Sequence, residues 1–298
     1  MRLATTTGDF SGYAATQEEA IRYIRQAGFR FFDYNFGADY ARRDGVYGGD
    51  WKRYLEGVKK TADALGGVFV QAHSPMGTPL AEGNDAFTED TVRCVEACGI
   101  LGIENIVVHS GYLPDIAKEE AFERNKAFYG KLFPMAEKYG VNILVENFNR
   151  MTRDNVYWID NAPDLLALIE YVDHPLFHAC WDAGHGNMQE MPQDESLRIL
   201  GGHVRALHIQ DNLGDRDAHL IPYFGSLNMD SLMHGLLDIG YTGYFTFETG
   251  MLPSPKQRRP YEKDQRLLRA PLPLKIEAEK FLYAIGRCTL EAYGCYEE

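Results

Sequence analysis

The chain has 298 residues, of which 45% are hydrophobic and 24% are charged, so it can bury a full core and stay soluble. Its formal net charge of −13 argues against a partner bound mainly by neutralising phosphates, and we do not expect a nucleic-acid ligand. The first residues, MRLATTTGDF, lack the apolar stretch of a signal peptide, and no apolar run approaches the roughly 18 residues of a membrane span. We therefore expect a cytoplasmic protein that does not cross a membrane.

Short runs rich in Val, Ile, Phe and Tyr alternate with longer segments whose apolar residues recur at helical spacing. The first helical segment has Thr16 followed three residues later by Glu19, a capping-box spacing, and is followed by Gly28 as a helix-ending residue. The second ends in the same way at Gly66, and two further segments precede the fourth and fifth strands. The eight predicted strands are residues 2–7, 29–35, 68–73, 105–110, 142–148, 176–182, 205–211 and 244–249.

Eight strand–helix units in about 250 residues are what a (β/α)₈ TIM barrel requires. A doubly wound sheet is the alternative, but no G-x-G-x-x-G turn follows the first strand. No break in composition divides the chain, so we assign residues 1–298 to a single domain. A Pro- and Arg-rich segment at about 251–274 is interpreted as a loop over the barrel mouth, an oligomer contact or a mobile connection to a C-terminal helix that begins near residue 275.

Side chains that can bind metal ions follow the ends of the predicted strands. The C-terminal ends of TIM-barrel strands meet at one face, so these side chains should lie together. Desolvating so many imidazoles and carboxylates without a cation would be unfavourable. Mixed His, Asp and Glu ligands suit Zn²⁺, Mn²⁺, Co²⁺ or Mg²⁺. The nine residues are His73, His109, Glu146, Asp182, His185, His208, Asp217, His219 and Glu248.

Five motifs stand in order on these strands: VVHSG, VENF, WDAGH, LHIQDN with a later D-A-H, and FET. Over about residues 1–250 they resemble the xylose isomerase-like (AP endonuclease family 2) TIM-barrel superfamily. In its sugar epimerases and isomerases, the resemblance implies, one divalent ion is held by Glu146, Asp182, His208 and Glu248. It also implies that the two glutamates act as the acid/base pair and that His185 contacts the substrate.

Five further residues match positions that complete a trinuclear zinc site in the endonuclease IV branch of this superfamily. They are expected either to bind additional ions or to contact substrate, so that one ion is favoured and up to three are compatible with the motifs. Arg216, Asn147 and Gln210 are candidates for hydrogen bonds to substrate hydroxyls. The five are His73, His109, His185, Asp217 and His219.

We therefore favour an isomerase or epimerase of a sugar or sugar phosphate, which transfers a proton next to a carbonyl. The alternatives are a trinuclear zinc phosphodiesterase acting on abasic DNA and a related metal-dependent lyase or dehydratase of polyols. A nuclease would use basic residues such as Arg150, Arg153, Lys256, Arg258 and Arg259 to bind phosphates. Related barrels often pair through their helices, so a homo-oligomer is compatible with the resemblance.

The loop after the seventh strand departs from the family pattern. Similar proteins commonly read H-x-x-P-G-x-G there, whereas this chain reads HLIPYFG, with Tyr223 in place of the first glycine. The tyrosine side chain adds bulk near the rim of the barrel.

Overall fold

The computed structural model describes residues 1–77, 79–113, 116–148, 159–250 and 270–298. Each of the eight predicted strands is present, and all pair in parallel. Several stop short of their predicted ends because the chain leaves the ladder to carry its polar residues over the barrel mouth. The strands are β1 Arg2–Thr6, β2 Phe31–Asn35, β3 Val68–His73, β4 Asn105–Val107, β5 Asn142–Glu146, β6 Phe177–Asp182, β7 Val204–His208 and β8 Tyr244–Phe247.

The strands close into a barrel. Neighbours in the sheet follow the order β7-β6-β5-β4-β3-β2-β1-β8, and an isolated bridge between Ile209 and Phe247 joins the two ends. At this seam the amide of Ile209 donates to the carbonyl of Thr246 at 2.8 Å, and the amide of Glu248 donates to the carbonyl of Ile209 at 3.2 Å. Strands that follow one another around a closed ring define a TIM barrel, which excludes the doubly wound alternative.

Helices cover the outside of the barrel. The predicted cap is present, with its second bond shifted by one residue: Thr16 Oγ1 accepts from the Glu19 amide, whereas Glu19 Oε2 accepts from the amide of Ala15 and not from that of Thr16. The segment predicted before the fifth strand is split in two because Pro134 cannot donate an amide hydrogen bond, and it lies in the first turn of a new helix that begins at Phe133. The helices are α1 Gln17–Gln26, α2 Gly37–Arg42, α3 Trp51–Ala64, α4 Asp85–Leu101, α5 Lys118–Gly130, α6 Phe133–Tyr139, α7 Ala162–Val172, α8 Ala183–Asn187, α9 Gln193–Leu200, α10 Met229–Asp238 and α11 Leu272–Ala292.

The barrel interior is apolar below and polar at the mouth. Side chains alternate between the two faces of a strand, so residues two apart point the same way. A small cluster separate from the main core contains Leu144, Cys180 and Ala206, on three neighbouring strands. Two residues further along the same strands stand Glu146, Asp182 and His208. The inward face of each of these three strands therefore carries its last residue into the mouth.

The C-terminal part of the chain contains the expected helix, α11, which begins at Leu272. Residues 251–269 of the Pro- and Arg-rich segment lie outside the described residues. None of the helices described is long and apolar enough to cross a bilayer.

Tyr223 has a backbone conformation that favours glycine. Its φ is +73°, in the left-handed region that non-glycine residues rarely occupy. Its hydroxyl lies 2.9 Å from Oγ1 of Thr289 on α11, while the side chain as a whole is 60% exposed. The loop thus makes a left-handed turn at Tyr223, and the hydroxyl of this tyrosine contacts the last helix.

Candidate metal centre and active site

Four of the strand-end residues form a compact ligand group at the barrel mouth. Glu146, Asp182, His208 and Glu248 each place a ligand atom within 4.8 Å of the others. His208 Nδ1 lies 2.9 Å from Glu146 Oε1 and 3.2 Å from Glu248 Oε2. Ligands bound at about 2.0–2.2 Å on opposite sides of one cation stand up to about 4.4 Å apart, so the group has nearly the dimensions of a single-ion site.

Two carboxylate oxygens in this group have no hydrogen-bond donor among the described residues. Asp182 Oδ2 is buried without a partner, and Glu146 Oε2 is buried and accepts no hydrogen bond, although His109 Nε2 lies 3.2 Å away. The other oxygen of Asp182 accepts from the amide of His185, as the N-cap of α8. A buried charged oxygen without a donor is unfavourable unless a cation meets it. The residues present therefore fit a divalent metal ion.

A buried carboxylate stands behind His208. Asp33 Oδ2 lies 3.5 Å from His208 Nε2, on the side away from Glu146. Asp33 also accepts from Gln71 Nε2 at 3.2 Å, and Gln71 accepts from the hydroxyl of Thr246 at 2.9 Å. A carboxylate behind a histidine fixes the ring and increases its basicity as a ligand. We did not single out Asp33 from the sequence, although an acid inside the apolar run FRFFDYN was the available signal.

A second group lies beside the first and is built around Asp217. Its Oδ2 is 3.2 Å from His185 Nε2, and its Oδ1 is 3.2 Å from His219 Nε2. The Nδ1 atoms of the two rings face backbone carbonyls, of Asn147 at 2.9 Å and of Glu248 at 2.8 Å. Each histidine is thus held through one nitrogen and presents the other to the cluster, as metal-binding histidines do.

A third group shares Glu146 with the first. Nε2 of His73 and Nε2 of His109 lie 3.0 Å apart, and Glu146 Oε2 is 3.6 Å and 3.2 Å from them. His73 Nδ1 lies 2.6 Å from the carbonyl of Ser74, so its Nε2 faces His109. His73, Glu146 and His208 also place ligand atoms within 4.8 Å of one another. All nine strand-end residues named from the sequence therefore meet at the mouth.

The backbone of His219 is also unusual. Its φ is +47°, in the left-handed region. Strained conformations of this kind persist where the surrounding structure holds them, and they cluster at functional sites. Here the amide of Gly250 donates to the His219 carbonyl at 2.9 Å, which holds the loop against the end of β8.

Burial lowers the pKa values of the histidines in the site, whereas the nearby carboxylates raise them. Burial lowers the pKa of His109 to about 3. Burial also opposes protonation of His185, but Asp182 and Asp217 outweigh it and raise the pKa of His185 to about 9. Burial raises the pKa of Asp182 to about 7. Protons on such histidines balance the carboxylate charge, and a bound cation would replace them.

Two of the three residues proposed to bind substrate hydroxyls are occupied with other partners. Asn147 pairs with the Asp182 backbone through both halves of its amide, at 2.7 Å and 3.0 Å. Gln210 Nε2 donates to Asp217 at 2.8 Å and to Asp182 at 3.3 Å. A Cβ added to Gly184 would lie 2.0 Å from the Gln210 side chain, so a glycine is needed there. Asn147 and Gln210 thus position Asp182 and Asp217. Of the three residues, Arg216 stays a candidate for contact with the substrate.

Phe148 forms one wall of the site. Its ring centroid is 5.1 Å from that of His109 and 5.0 Å from that of His185, and the residue is 8% exposed. A cavity of about 240 Å³ opens beside it and is lined by members of all three ligand groups. The basic residues considered for phosphate binding, Arg150, Arg153, Lys256, Arg258 and Arg259, all lie outside the described residues.

Comparison with known proteins agrees with this architecture. The model of the xylose isomerase-like TIM barrel family matches residues 21–270. The chain belongs to this family. Among solved structures, a D-tagatose 3-epimerase-like protein superposes with a TM-score of 0.75 at 18% identity, covering 98% of both chains. At this identity the likeness shows the fold.

Curated relatives match part of their length. Fructoselysine 3-epimerase from Escherichia coli O157:H7 is 31% identical over 142 residues, which cover 47% of this chain and 49% of that protein. The uncharacterized protein MJ1311 from Methanocaldococcus jannaschii is 28% identical over 191 residues, 61% of this chain and 64% of that protein. The chain thus matches about half to two thirds of these relatives.

Proposed function

We propose that this protein is a divalent-cation-dependent epimerase or isomerase of a sugar or sugar derivative. The observation that carries the proposal is the placement of two carboxylates. Glu146 ends β5 and Glu248 follows β8, two strands separated by β6 and β7, and both lie within 3.2 Å of His208 Nδ1. They therefore approach one point from different sides of the mouth. The epimerase relatives and structural neighbours support this reading.

Glu146, Asp182, His208 and Glu248 would hold the cation. When bound, it would polarise a substrate carbonyl and make the adjacent C–H more acidic. Mixed nitrogen and oxygen ligands suit Zn²⁺, Mn²⁺, Co²⁺ or Mg²⁺.

The two glutamates carry the proton transfer in this proposal. One carboxylate removes the proton beside the carbonyl, and the other returns a proton. Return to the same carbon from the opposite face gives epimerisation, and return to the neighbouring carbon gives isomerisation. A positioned acid/base residue contributes about 10²–10⁴-fold in rate. Glu146 is 1% exposed and Glu248 20%, so the second is the one that can exchange its proton more readily with water.

Deuterium incorporation from D₂O tests the proposal. We expect the metal-loaded protein to place deuterium next to the carbonyl of at least one ketose in a panel of sugars, sugar phosphates and sugar–amino acid adducts. Glu146→Gln and Glu248→Gln should each reduce this exchange at least about 10²-fold while retaining bound metal in part. Glu56→Gln, on the exposed face of α3, is the control and should behave as wild type. Absence of exchange with every member of the panel would reject the proposal.

A second candidate is favoured by the completeness of the other two ligand groups. His73 and His109 with Glu146, and His185 and His219 with Asp217, leave room for a trinuclear phosphodiesterase. Elemental analysis separates the two, since one ion per chain is expected for the sugar enzyme and three zinc ions for the nuclease. Cleavage of an abasic-site duplex with zinc, together with no sugar exchange, would establish the second candidate.

A further inference from the structure

We infer that the substrate carries an anionic substituent, a carboxylate or a phosphate, which is bound by Arg216 in a second cavity beside the ligand groups. This inference rests on the proposed function for the sugar part of the ligand. The second cavity measures about 1170 Å³, against 240 Å³ for the cavity at the ligand groups. The two cavities share the wall residues Asn35, Gly37, Asp217, His219 and Glu248.

The volumes indicate a ligand larger than the small cavity alone can hold. Small-molecule sites measure roughly 300–1,000 Å³, so the 240 Å³ cavity falls below this range and its neighbour exceeds it. A ligand whose reacting carbons lie at Glu146 and Glu248 would extend past Asp217 into the larger space. Small residues are part of the lining of that space, including Gly8, Ala38 and Ala41.

Among the described residues, Arg42 and Arg216 are the arginines that line the larger cavity, and of these two only Arg216 has a free guanidinium. Arg42 is paired with Asp39 at 3.1 Å and with Asp44 at 2.9 Å. Arg216 is exposed and makes no hydrogen bond or ion pair with the described part of the chain. Its planar fork of donors matches the oxygens of a carboxylate or phosphate.

The carboxylates that line the same cavity have other partners. Asp217 is shared by two histidines, and Glu248 lies 3.2 Å from His208. Asp9 faces Lys275 Nζ at 4.0 Å. Because these negative charges are engaged, the positive charge of Arg216 is available to a ligand.

Binding to the protein as purified tests the inference without requiring turnover. D-fructose 6-phosphate, a fructose–amino acid adduct and D-fructose are compared by equilibrium dialysis, so that phosphate, carboxylate and neutral ligand are separate arms. Arg216→Gln should weaken binding of at least one anionic ligand about 10- to 100-fold, the value of a hydrogen bond to a charged group, and so reduce the preference over D-fructose. Arg216→Lys should restore part of the loss because it keeps the charge without the fork.

Arg205→Gln is the matched control, since Arg205 is exposed near the start of β7, at the opposite end of the barrel. It should leave all three affinities unchanged. If Arg216→Gln binds both anionic ligands within twofold of wild type, the inference is wrong even when sugar exchange occurs. If the anionic preference depends on Arg216 but no sugar exchanges deuterium, the inference stands for the anion and the proposed epimerase function fails.

Discussion

Replacing Asp33 by Asn should weaken metal binding without unfolding the barrel. Asp33 and His208 are 1% and 0% exposed, and their facing atoms are 3.5 Å apart. Asn keeps the shape, and its oxygen can still accept from Gln71, so the buried hydrogen-bond chain survives. What is lost is the charge behind the histidine. Loss of such a partner reduces metal affinity about 10- to 100-fold, which corresponds to about 1.4–2.8 kcal/mol.

The assay is a competition titration against a chelator of known affinity, with metal occupancy measured by elemental analysis. Asp63→Asn, which removes the same charge from an exposed position on α3, should match wild type. Circular dichroism should show the same secondary structure for both variants. An affinity of the Asp33 variant within twofold of wild type would refute the argument that Asp33 supports His208 as a ligand.

Three further predictions concern strain, thiols and pH. Tyr223→Gly should relieve about 1–2 kcal/mol of left-handed backbone strain and lose the hydrogen bond to Thr289, which is worth about 0.5–1.5 kcal/mol. Because these effects oppose each other, the free energy of unfolding should stay within about 1 kcal/mol of wild type. A loss above about 2 kcal/mol in a denaturant titration would contradict this. Cys288 is exposed and should be alkylated, whereas Cys94 is buried and burial raises its pKa to about 12. Mass spectrometry should therefore find Cys288 labelled and Cys94 unlabelled up to about pH 9 in the folded protein. The carboxylates of Asp182 and Asp217 raise the pKa of His185 to about 9, so a cation bound at the group of His185, Asp217 and His219 must displace a proton. The affinity for the cation should therefore rise up to about tenfold per pH unit between about pH 6 and 8. Calorimetry that detects no proton release would count against a cation at this group.

The strands and their polar ends were predictable because each depends on a short stretch of sequence. An apolar run identifies the strand. Because side chains alternate between its two faces, Glu146 points inward like Leu144, and Asp182 points inward like Cys180. The TIM-barrel rule then brings strand ends together, so the positions of the nine residues followed from the sequence. Which of them bind metal remains a prediction.

The missed features depend on contacts between distant parts of the chain. Asp33 lies behind His208 only because barrel closure brings β2 opposite β7. From the sequence, Asn147 was a candidate for binding substrate, but it lies beside the end of β6 in the fold, and its side-chain amide pairs with the Asp182 backbone. The split between α5 and α6 was local, and Pro134 could have indicated it.

The seam between β7 and β8 links ion binding to the rigidity of the barrel. Ile209 and Phe247 form the isolated bridge at this joint. The candidate ligand His208 directly precedes Ile209, and the candidate ligand Glu248 directly follows Phe247. An ion bound to both would oppose local opening of the joint, and at a free concentration of 100 times its dissociation constant it would stabilise the closed form by about 2.7 kcal/mol. The amides of Ile209 and Glu248 should then exchange with solvent more slowly when the metal is present. The joint that closes the barrel is therefore also the place where a bound ion can stabilise it.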